Sequence, residues 1–550
     1  MQIYGHVGLY NTFAKNYLQT RLYSHHPPFS FSLHAQMANP MSLFVLQVLS
    51  FLLFYILLLY LFNVILSRFR RVQEFSGHKP PTYPIIGCLI SFYKNRGRLL
   101  DWYTELLAES ATNTIVVHRL GARRTIVTAN PKNVEYMLKT NFNNFPKGQP
   151  FTEILGDFLG YGIFNVDGEL WRAQRKFASH EFSAKSLREF FMITLEEEVE
   201  KGLLPILESL AVTAEVVDLQ ELLRRFAFNM VLKVSLGIDR CCLDPSQPVP
   251  PLTRAFDEAS EICAKRGAAP LFIVWKMKKW LGIGSERQLK SAVEEVHRCV
   301  SEIIINKKRM IEEGESRSED LLSRLILAGH EEEVIRDMVI SFIMAGRDTT
   351  SAAMTWLFWL LSCHPDIEKE VVKETRLLME RMLDYDSLKE LNLLKACLCE
   401  SMRLYPPIAW DSKHAVVSDL LPDNTPVRAG DRVTYFPYGM GRMEALWGED
   451  CFKFKPDRWF VEANDRRELQ EVCPCKFPIF QAGPRVCLGK EMAFIQMKYV
   501  MASILDRFKI KPLSSASPVF VPLLTAHMAG GLEVLVQKRT QTTSINKQLN

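Results

Sequence analysis

The ten residues from Phe480 to Gly489 constrain the chain more than any other segment, because they place one cysteine on a loop between glycines. The segment reads FQAGPRVCLG, with Cys487 following Gly483 and Arg485. Glycine permits backbone conformations and close approaches that other residues do not. A thiolate held on such a loop can bind a cofactor iron, whereas a thiol packed inside a helix cannot. The segment therefore predicts a fold organised around one iron-binding loop.

The spacing of this segment, F-x-x-G-x-R-x-C-x-G, resembles the heme-binding signature of the cytochrome P-450 monooxygenases at every fixed position. The resemblance implies a heme b cofactor whose iron takes the Cys487 thiolate as its axial ligand. It also implies that Gly483 and Gly489 bring backbone N–H groups close to the macrocycle and the sulfur. Phe480 belongs to the same cofactor contact, and Arg485 pairs with a heme propionate. A lone cysteine in a loop is more often structural, but five matched positions in ten residues favour the heme site.

A long apolar helix predicted over residues 334–361 carries a polar interruption. A glycine inside a helix costs about 1 kcal/mol relative to alanine, and buried polar groups cost more unless they are bonded. Such breaks in a buried element usually mark a functional site. Threonine hydroxyls there can bond to a carbonyl one turn earlier, which loosens the helix and leaves room for water or dioxygen. A kinked helix whose hydroxyls satisfy themselves is the alternative.

The interruption, AGRDTT at residues 345–350, resembles the oxygen-binding motif of the same family. The resemblance places Ala345 and Gly346 beside the heme. It makes Thr349 and Asp348 the catalytic residues. Thr349 then supplies a hydrogen bond during oxygen activation, and Asp348 connects this threonine to solvent protons.

Glu400 and Arg403 lie three residues apart and therefore share one face of a predicted helix. On a surface such a pair contributes little to stability, which is the default for an isolated E-x-x-R motif. Together with Arg458, however, the pair resembles the buried glutamate–arginine set of the family. The family commonly has glutamate and phenylalanine where Asp457 and Trp459 stand. The resemblance assigns Glu400, Arg403 and Arg458 to folding and heme retention, not to bond making.

Trp171 and Arg175 lie one helical turn apart in the segment WRAQR. The segment resembles the W-x-x-x-R helix of the family, which implies that both side chains face a heme propionate. By itself the pattern is more typical of an exposed amphipathic helix. Lys413 or His414 stands where the family often has a further propionate partner.

Net charge, cysteine spacing and the absence of a nucleotide-binding motif indicate which partners the protein has. The net charge of +5 is small for 550 residues, and no basic run indicates nucleic acid. The twelve cysteines show neither a disulfide framework nor zinc spacing, which favours reduced thiols in a cytosol-facing domain. No G-x-G-x-x-G nucleotide motif is present, so the electrons have to come from another protein. The resemblance implies a membrane-bound NADPH-dependent reductase, O2 and a lipophilic substrate.

From Leu43 to Leu66 the chain is almost wholly apolar and long enough to cross ~30 Å of hydrocarbon. Because Arg68, Arg70 and Arg71 follow at once, the positive-inside rule places the rest of the chain in the cytoplasm. We expect a single-pass anchor in the endoplasmic reticulum membrane with the catalytic domain facing the cytoplasm. A cleaved signal peptide fits less well, because the apolar run is too long and no small-residue cleavage site follows it.

The chain then divides into five parts: an N-terminal extension (1–42), the membrane anchor (43–66), a basic and proline-rich connector (67–87), one monooxygenase domain (88–540) and a C-terminal tail (541–550). The extension contains no Asp or Glu and resembles an organelle transit peptide. A start at Met37 or Met41 is the plainer interpretation. We expect the extension to be disordered in either case.

Within the domain, hydrophobic periodicity predicts helices at residues 186–210, 219–236, 287–313, 334–361 and 365–383. Runs of β-branched residues predict a hairpin across residues 114–128 and short strands near residues 432–435 and 532–536. We therefore expect a mainly α fold with a small β part. This is the cytochrome P-450 fold that the resemblance implies, preceded by one transmembrane helix.

The substrate class follows from resemblance alone. Four segments resemble the plant fatty-acid omega-hydroxylase branch, which includes jasmonoyl-isoleucine oxidases: ASHEF, DTTSAA, WDSKH and YFPYGMGR, at residues 178–182, 348–353, 410–414 and 435–442. The branch implies hydroxylation of the terminal (omega) or near-terminal carbon of a fatty acid or an oxylipin. Jasmonoyl-isoleucine 12-hydroxylation and steroid side-chain hydroxylation are the alternatives. A heme-binding sensor or carrier is the non-enzyme alternative, against which Asp348 and Thr349 argue, because a carrier needs no proton relay.

Overall fold

The computed structural model describes residues 47–61, 80, 82–83, 85–238, 243, 247–269, 271–314, 320–379, 384–463 and 466–539. The chain forms two compact units, Met1–Ser67 and Arg68–Asn550. The described part of the first unit is one helix, α1, at residues 47–61, whose side chains are all exposed. Across the described ranges, no helix is both long and apolar enough to cross a membrane. The predicted anchor is thus described only in part. The predicted extension, most of the connector and the tail lie outside the described residues.

The second unit is mainly helical, as the periodicity predicts. Its α-helices are α2 (Leu89–Lys94), α3 (Leu99–Glu109), α4 (Pro131–Glu135), α5 (Gln149–Leu159), α6 (Gly168–Ser183), α7 (Lys185–Glu197), α8 (Leu204–Thr213), α9 (Leu219–Leu236), α10 (Pro251–Ala268), α11 (Phe272–Leu281), α12 (Ser285–Glu312), α13 (Leu321–Leu327), α14 (Glu332–Cys363), α15 (Pro365–Met379), α16 (Asn392–Leu404), α17 (Pro437–Met440), α18 (Glu444–Trp447) and α19 (Lys490–Arg507). Short 3-10 helices lie at Arg96–Arg98, Phe142–Asn144, Ser387–Glu390, Pro456–Trp459, Pro478–Phe480 and Gly483–Arg485, and π-helices at Tyr136–Thr140 and Glu198–Leu203.

The β part is small and divided among several sheets. Its strands are β1 (Thr114–Val117), β2 (Thr125–Thr128), β3 (Val216–Asp218), β4 (Asp411–His414), β5 (Asp419–Leu420), β6 (Pro426–Val427), β7 (Arg432–Tyr435), β8 (Phe460–Ala463), β9 (Arg466–Leu469), β10 (Phe508–Pro512), β11 (Phe520–Pro522), β12 (Ala526–Met528) and β13 (Glu533–Lys538). The largest sheet has the order β1-β2-β7-β4, in which only the β2–β7 pair is parallel. A second sheet has the order β10-β13-β3, and three strand pairs complete the set: β11-β12, β5-β6 and β8-β9.

The predicted elements coincide well with the observed ones where the local signals are strong. The helix predicted over residues 219–236 is α9. Its bounds are set by Asp218, whose side chain accepts a hydrogen bond from the Gln220 backbone N–H (2.9 Å), and by Gly237, which ends the helix in the left-handed conformation. The predicted hairpin is the β1–β2 pair. The helix predicted over residues 186–210 is instead α7, a π-helix and α8 in succession. Hydrophobic periodicity does not distinguish a π turn from an α turn.

The long helix α14 runs through the core of the second unit and is buried on nearly every side. A helix that is apolar all round has to be covered all round, and α9, α16 and α19 are among the helices that pack against α14. Its N-terminal half, to Ile343, belongs to one apolar cluster, and its C-terminal half, from Ala353, belongs to another. The polar segment at residues 345–350 lies between the two halves, where the helix borders a cavity.

Candidate active site

A cavity of about 590 Å³ lies between α14, the four-stranded sheet and the cysteine loop. This volume is in the range of small-molecule sites, and most of the lining side chains are apolar. The predicted site residues that line the cavity are Trp171, Arg175, Ala345, Gly346, Thr349, Phe480, Arg485, Cys487 and Gly489. The fold therefore brings three separate sequence motifs to one space. Asp348 and Gly483 do not line the cavity.

Cys487 presents its sulfur to the cavity from the loop that precedes α19. The backbone N–H of Cys487 donates to the carbonyl oxygen of Phe480 (2.8 Å), which holds the loop closed. Burial raises the pKa of the Cys487 thiol, while the backbone N–H of Gly489 and the charge of Arg175 act in the opposite direction. An accessible sulfur with a hydrogen-bond donor and a cation nearby has the surroundings that a thiolate ligand needs.

Gly483 has a different role from the one that the motif suggests. Its φ of +65° lies in the left-handed region, and a Cβ at this position would overlap the backbone carbonyl oxygen of Leu138. The close neighbour that excludes a side chain here is therefore the polypeptide backbone. Gly489, in contrast, lines the cavity itself.

The hydroxyl groups on α14 bond to their own helix. Thr349 Oγ1 donates to the carbonyl oxygen of Ala345 (2.7 Å), and Thr350 Oγ1 donates to that of Gly346 (2.9 Å). This is the back-bonding that the sequence predicts for threonine in a helix. Gly346 also has a packing role, because a Cβ there would lie 2.9 Å from Cγ2 of Val231 on α9.

Asp348 points away from the cavity toward two arginines. Its Oδ1 lies 3.6 Å from Nε of Arg224 and 3.6 Å from Nε of Arg347. The carboxylate is partly exposed, with 22% of its side chain accessible. Thr349 therefore borders the cavity, while the residue before it, Asp348, carries a charge on the side of the helix that is partly open to solvent.

Arg485 and Trp171 form one packed group at the cavity. The Arg485 guanidinium lies over the Trp171 ring at 4.4 Å, and its Nη2 donates to Asp167 Oδ1 (2.6 Å) and to the carbonyl oxygen of Val166 (2.9 Å). Its Nε is buried and has no hydrogen-bond partner within the part of the chain that the structure describes. Arg175 lines the same cavity, and burial lowers its pKa while Cys487 opposes that shift.

A buried network centred on Asp411 was not predicted from the sequence. The Asp411 carboxylate accepts hydrogen bonds from side chains of four residues: Lys147 Nζ (2.6 Å), Lys413 Nζ (3.1 Å), the Tyr435 hydroxyl (3.0 Å) and Gln481 Nε2 (2.6 Å). Burial would raise the pKa of Asp411, but Lys147 and Lys413 outweigh it, and the pKa lies well below its usual range. The only sequence signal near this network was Lys413, considered as a propionate partner, and nothing in the sequence pointed to Asp411 as its centre.

Of the two candidates Lys413 and His414, only His414 lines the cavity. Its Nδ1 lies 2.5 Å from the carbonyl oxygen of Lys147, and its Nε2 is buried with no described residue as a hydrogen-bond partner. Burial lowers the pKa of His414 to about 4. Lys413 is turned into the protein, where it is bonded to Asp411.

Glu400, Arg403 and Arg458 form the buried set that the resemblance implies. The Glu400 and Arg403 side chains are fully buried and joined by two hydrogen bonds of 2.8 Å, and Arg458 Nε donates to Glu400 Oε1 at the same distance. Trp459 Nε1 also donates to Glu400 Oε2 (3.0 Å). Trp459, where the family commonly has phenylalanine, therefore adds a donor to the buried carboxylate. These residues lie outside the cavity.

The cavity fits a heme. Its lining offers an accessible cysteine sulfur, a largely apolar wall, and the buried Arg485 Nε, which has no hydrogen-bond partner among the described residues. This N–H group is suited to a carboxylate of a bound group, because an unpartnered buried donor is unfavourable until it is bonded. Cys487 would hold the iron, and Arg175, Arg485 and Trp171 would lie at the propionates.

Comparison with known proteins agrees with this geometry. The family model described as Cytochrome P-450 matches residues 78–527. Cytochrome P-450 94B1 of Arabidopsis thaliana is 58% identical over 86% of this chain and 94% of its own length. Cytochrome P-450 94B3 of the same plant is 57% identical over 90% of this chain and 98% of its own length. Cytochrome P-450 94A1 of Vicia sativa is 45% identical over 84% of this chain and 90% of its own length.

Among solved structures, the crystal structure of the cytochrome P-450DA heme domain has the same fold. The TM-score is 0.68 at 19% sequence identity, and the match covers 84% of this chain and 97% of that one. The chain therefore belongs to the cytochrome P-450 family, whose heme iron takes a cysteine thiolate as its axial ligand.

Proposed function

We propose that this monooxygenase hydroxylates the terminal or near-terminal carbon of a fatty acid or an oxylipin. The observation that carries the proposal is the cavity, which joins the Cys487 sulfur and the Thr349 side chain to a largely apolar wall. Such a wall binds an alkyl chain by removing it from water, which contributes about 25 cal/mol per Å² of apolar surface. The similarity to cytochromes P-450 94A1 and 94B1 agrees with the four sequence segments that indicate this substrate class.

The residues of the chain have separable tasks in this reaction. A heme bound at Cys487 supplies the activation of O2 and the oxidation of carbon. Arg175 and Arg485 orient the cofactor through its carboxylates. Thr349 donates a hydrogen bond into the cavity when its hydroxyl turns from the Ala345 carbonyl. Asp348 takes protons from solvent and passes them toward Thr349, and its ion pairs position it for this.

Electrons come from NADPH through a separate membrane-bound reductase, since the sequence has no nucleotide-binding motif. We place the protein in the endoplasmic reticulum membrane as a single-pass protein whose catalytic domain faces the cytoplasm. The apolar run from Leu43 to Leu66 and the arginines after it support this placement. Helix α11 supports it as well, because it exposes Ile273, Met277 and Trp280 among lysines, as helices at a membrane interface do.

The substrate class can be tested in yeast microsomes that contain the full chain and a plant reductase. Lauric acid, jasmonoyl-isoleucine and a hydroxylated sterol are each supplied with NADPH, and the products are identified by mass spectrometry. We expect lauric acid to be hydroxylated at or near its terminal carbon. Turnover of jasmonoyl-isoleucine alone or of the sterol alone would assign the alternative reaction. NADPH consumption without a hydroxylated product from any of the three would contradict the proposal.

A further inference from the structure

Three arginines line one end of the cavity, at the edge of the four-stranded sheet. Arg119 follows β1, Arg123 precedes β2, and Arg432 begins β7. In the sheet register, Thr125 of β2 lies opposite Arg432, so the turn that carries Arg119 and Arg123 ends beside Arg432. The chain thus brings three positive charges from two distant segments to one part of the cavity wall.

None of these arginines has a carboxylate partner in the part of the chain that the structure describes. Arg432 Nε is buried without a hydrogen-bond partner among the described residues, and the guanidinium lies 5.6 Å from the Phe272 ring. Arg119 Nε is likewise buried without a partner, although its Nη2 donates weakly to the Ala269 carbonyl oxygen (3.4 Å) and its guanidinium lies over the Phe92 ring. Arg123 is exposed. The three arginines therefore extend from the half-buried Arg119 and Arg432 to the solvent-exposed Arg123.

Three nearby cations, in contrast, have a carboxylate partner. Lys147 and Arg485 also line the cavity, but Asp411 and Asp167 neutralise them, each at 2.6 Å. Arg124, next to Arg123 in the sequence, is paired with Asp431. Burial, and then the charges of Arg119 and Arg123, lowers the pKa of Arg432 to about 10, so the side chain remains charged at neutral pH. Arg119 and Arg432 are half-buried charges without a counter-ion among the described residues, which is unfavourable unless a ligand supplies one.

We propose that Arg119, Arg123 and Arg432 bind the carboxylate of the substrate. This rests on the proposed function, and it adds the recognition of the head group. Arginine forks hold carboxylates through paired, charge-assisted hydrogen bonds. The alkyl chain then lies along apolar lining residues such as Ile154, Leu155 and Phe342. A carboxylic acid held by its head group at the sheet directs its far end to Thr349, which selects the terminal carbons for oxidation.

The proposal is tested with two ligands that differ only in charge, lauric acid and methyl laurate. Their Kd values are measured by optical titration of the heme-loaded full chain. We expect the acid to bind the wild-type protein more tightly than the ester. Arg119→Gln and Arg432→Gln should each raise the Kd of the acid by roughly tenfold or more and leave that of the ester nearly unchanged. Arg96→Gln is the matched control, because Arg96 is exposed outside the cavity.

Heme content, measured in each variant, separates the substrate carboxylate from the heme propionates, which have the same chemistry. Both variants should retain heme. Loss of heme in Arg119→Gln as well as Arg432→Gln would overturn the proposal and assign the arginines to the cofactor. Unchanged Kd values for the acid in both variants would also overturn the proposal. If Arg432→Gln does not fold, the Kd of the acid for Arg119→Gln alone decides the test. Failure of the proposed function gives a different result, in which neither ligand is hydroxylated by the wild-type protein.

Discussion

At the scale of single residues, Thr349 combines two properties that suit a proton-delivery role. Its side chain borders the cavity, yet its hydroxyl is already bonded to the Ala345 carbonyl one turn earlier. A hydroxyl that is satisfied within its own helix is stable without a ligand and can still rotate toward one. This explains how a buried apolar helix keeps a polar group available at the active site.

Thr349→Ala should retain heme but release peroxide, because the proton delivery that commits oxygen to the substrate is lost. Positioned proton donors contribute about 10²–10⁴-fold to reactions, so the hydroxylated product formed per NADPH should fall roughly tenfold or more. The measurement is NADPH consumption against product and peroxide. Thr355→Ala is the matched control, since Thr355 bonds to Ser351 on the same helix away from the cavity. Full coupling in Thr349→Ala would exclude the proton-delivery role.

A second prediction at this scale concerns the contribution of Trp459 to stability. Its indole N–H is one of the donors to the fully buried Glu400 carboxylate. Trp459→Phe should therefore lower the free energy of unfolding by about 1–3 kcal/mol, because Glu400 Oε2 keeps its bond from Arg403 but loses a second, charge-assisted donor. Glu400→Ala should lower the free energy of unfolding by more, about 3–5 kcal/mol in total, because it leaves two buried arginines without their carboxylate. This variant should yield little heme-loaded protein. Denaturant unfolding and heme content measure both. Trp280→Phe, at an exposed position, is the control, and equal stability of the two tryptophan variants would show that the indole bond is unimportant.

At the scale of elements, the approach of α14 to α9 requires a glycine. A Cβ on Gly346 would meet the stiff, β-branched side chain of Val231 at 2.9 Å. Gly346→Ala gains helix propensity, but we expect a net loss of about 1–2 kcal/mol from overpacking. Val231→Ala should relieve that loss. Denaturant unfolding of the two single variants and the double variant gives the coupling between them. Additive effects would mean that the two helices are not in tight contact here.

Several elements could be predicted from the sequence because their signals are local. The hydrophobic periodicity of α9 and the β-branched runs of β1, β2 and β7 are such signals, and the structure confirms the elements that they predict. The Asp411 network and the arginine group could not be predicted in the same way. Asp411 and Gln481, or Arg119 and Arg432, are far apart in the sequence and meet only through strand order and loop packing. The role of Gly483 was obscured for the same reason, since its close neighbour, Leu138, belongs to a distant segment.

At the scale of the whole molecule, the anchor and its orientation remain predictions. The full chain expressed in yeast should stay in the microsomal pellet after alkaline carbonate, which strips proteins held only at the surface. Protease added to intact microsomes should digest the domain that follows Leu66, because the arginines after the apolar run place it on the cytoplasmic side. Release by carbonate would exclude a spanning anchor. Protection from protease would reverse the orientation.

The central claim is that the sulfur of Cys487 is the ligand of the heme iron, and the optical spectrum tests it most directly. The full chain, reduced with dithionite and exposed to carbon monoxide, should show the red-shifted absorption band of a thiolate-bound heme. Cys487→Ala should lose this band, while Cys475→Ala, which removes a buried thiol outside the cavity, should keep it. Absence of the band from the wild-type protein, or its persistence in Cys487→Ala, would contradict the account.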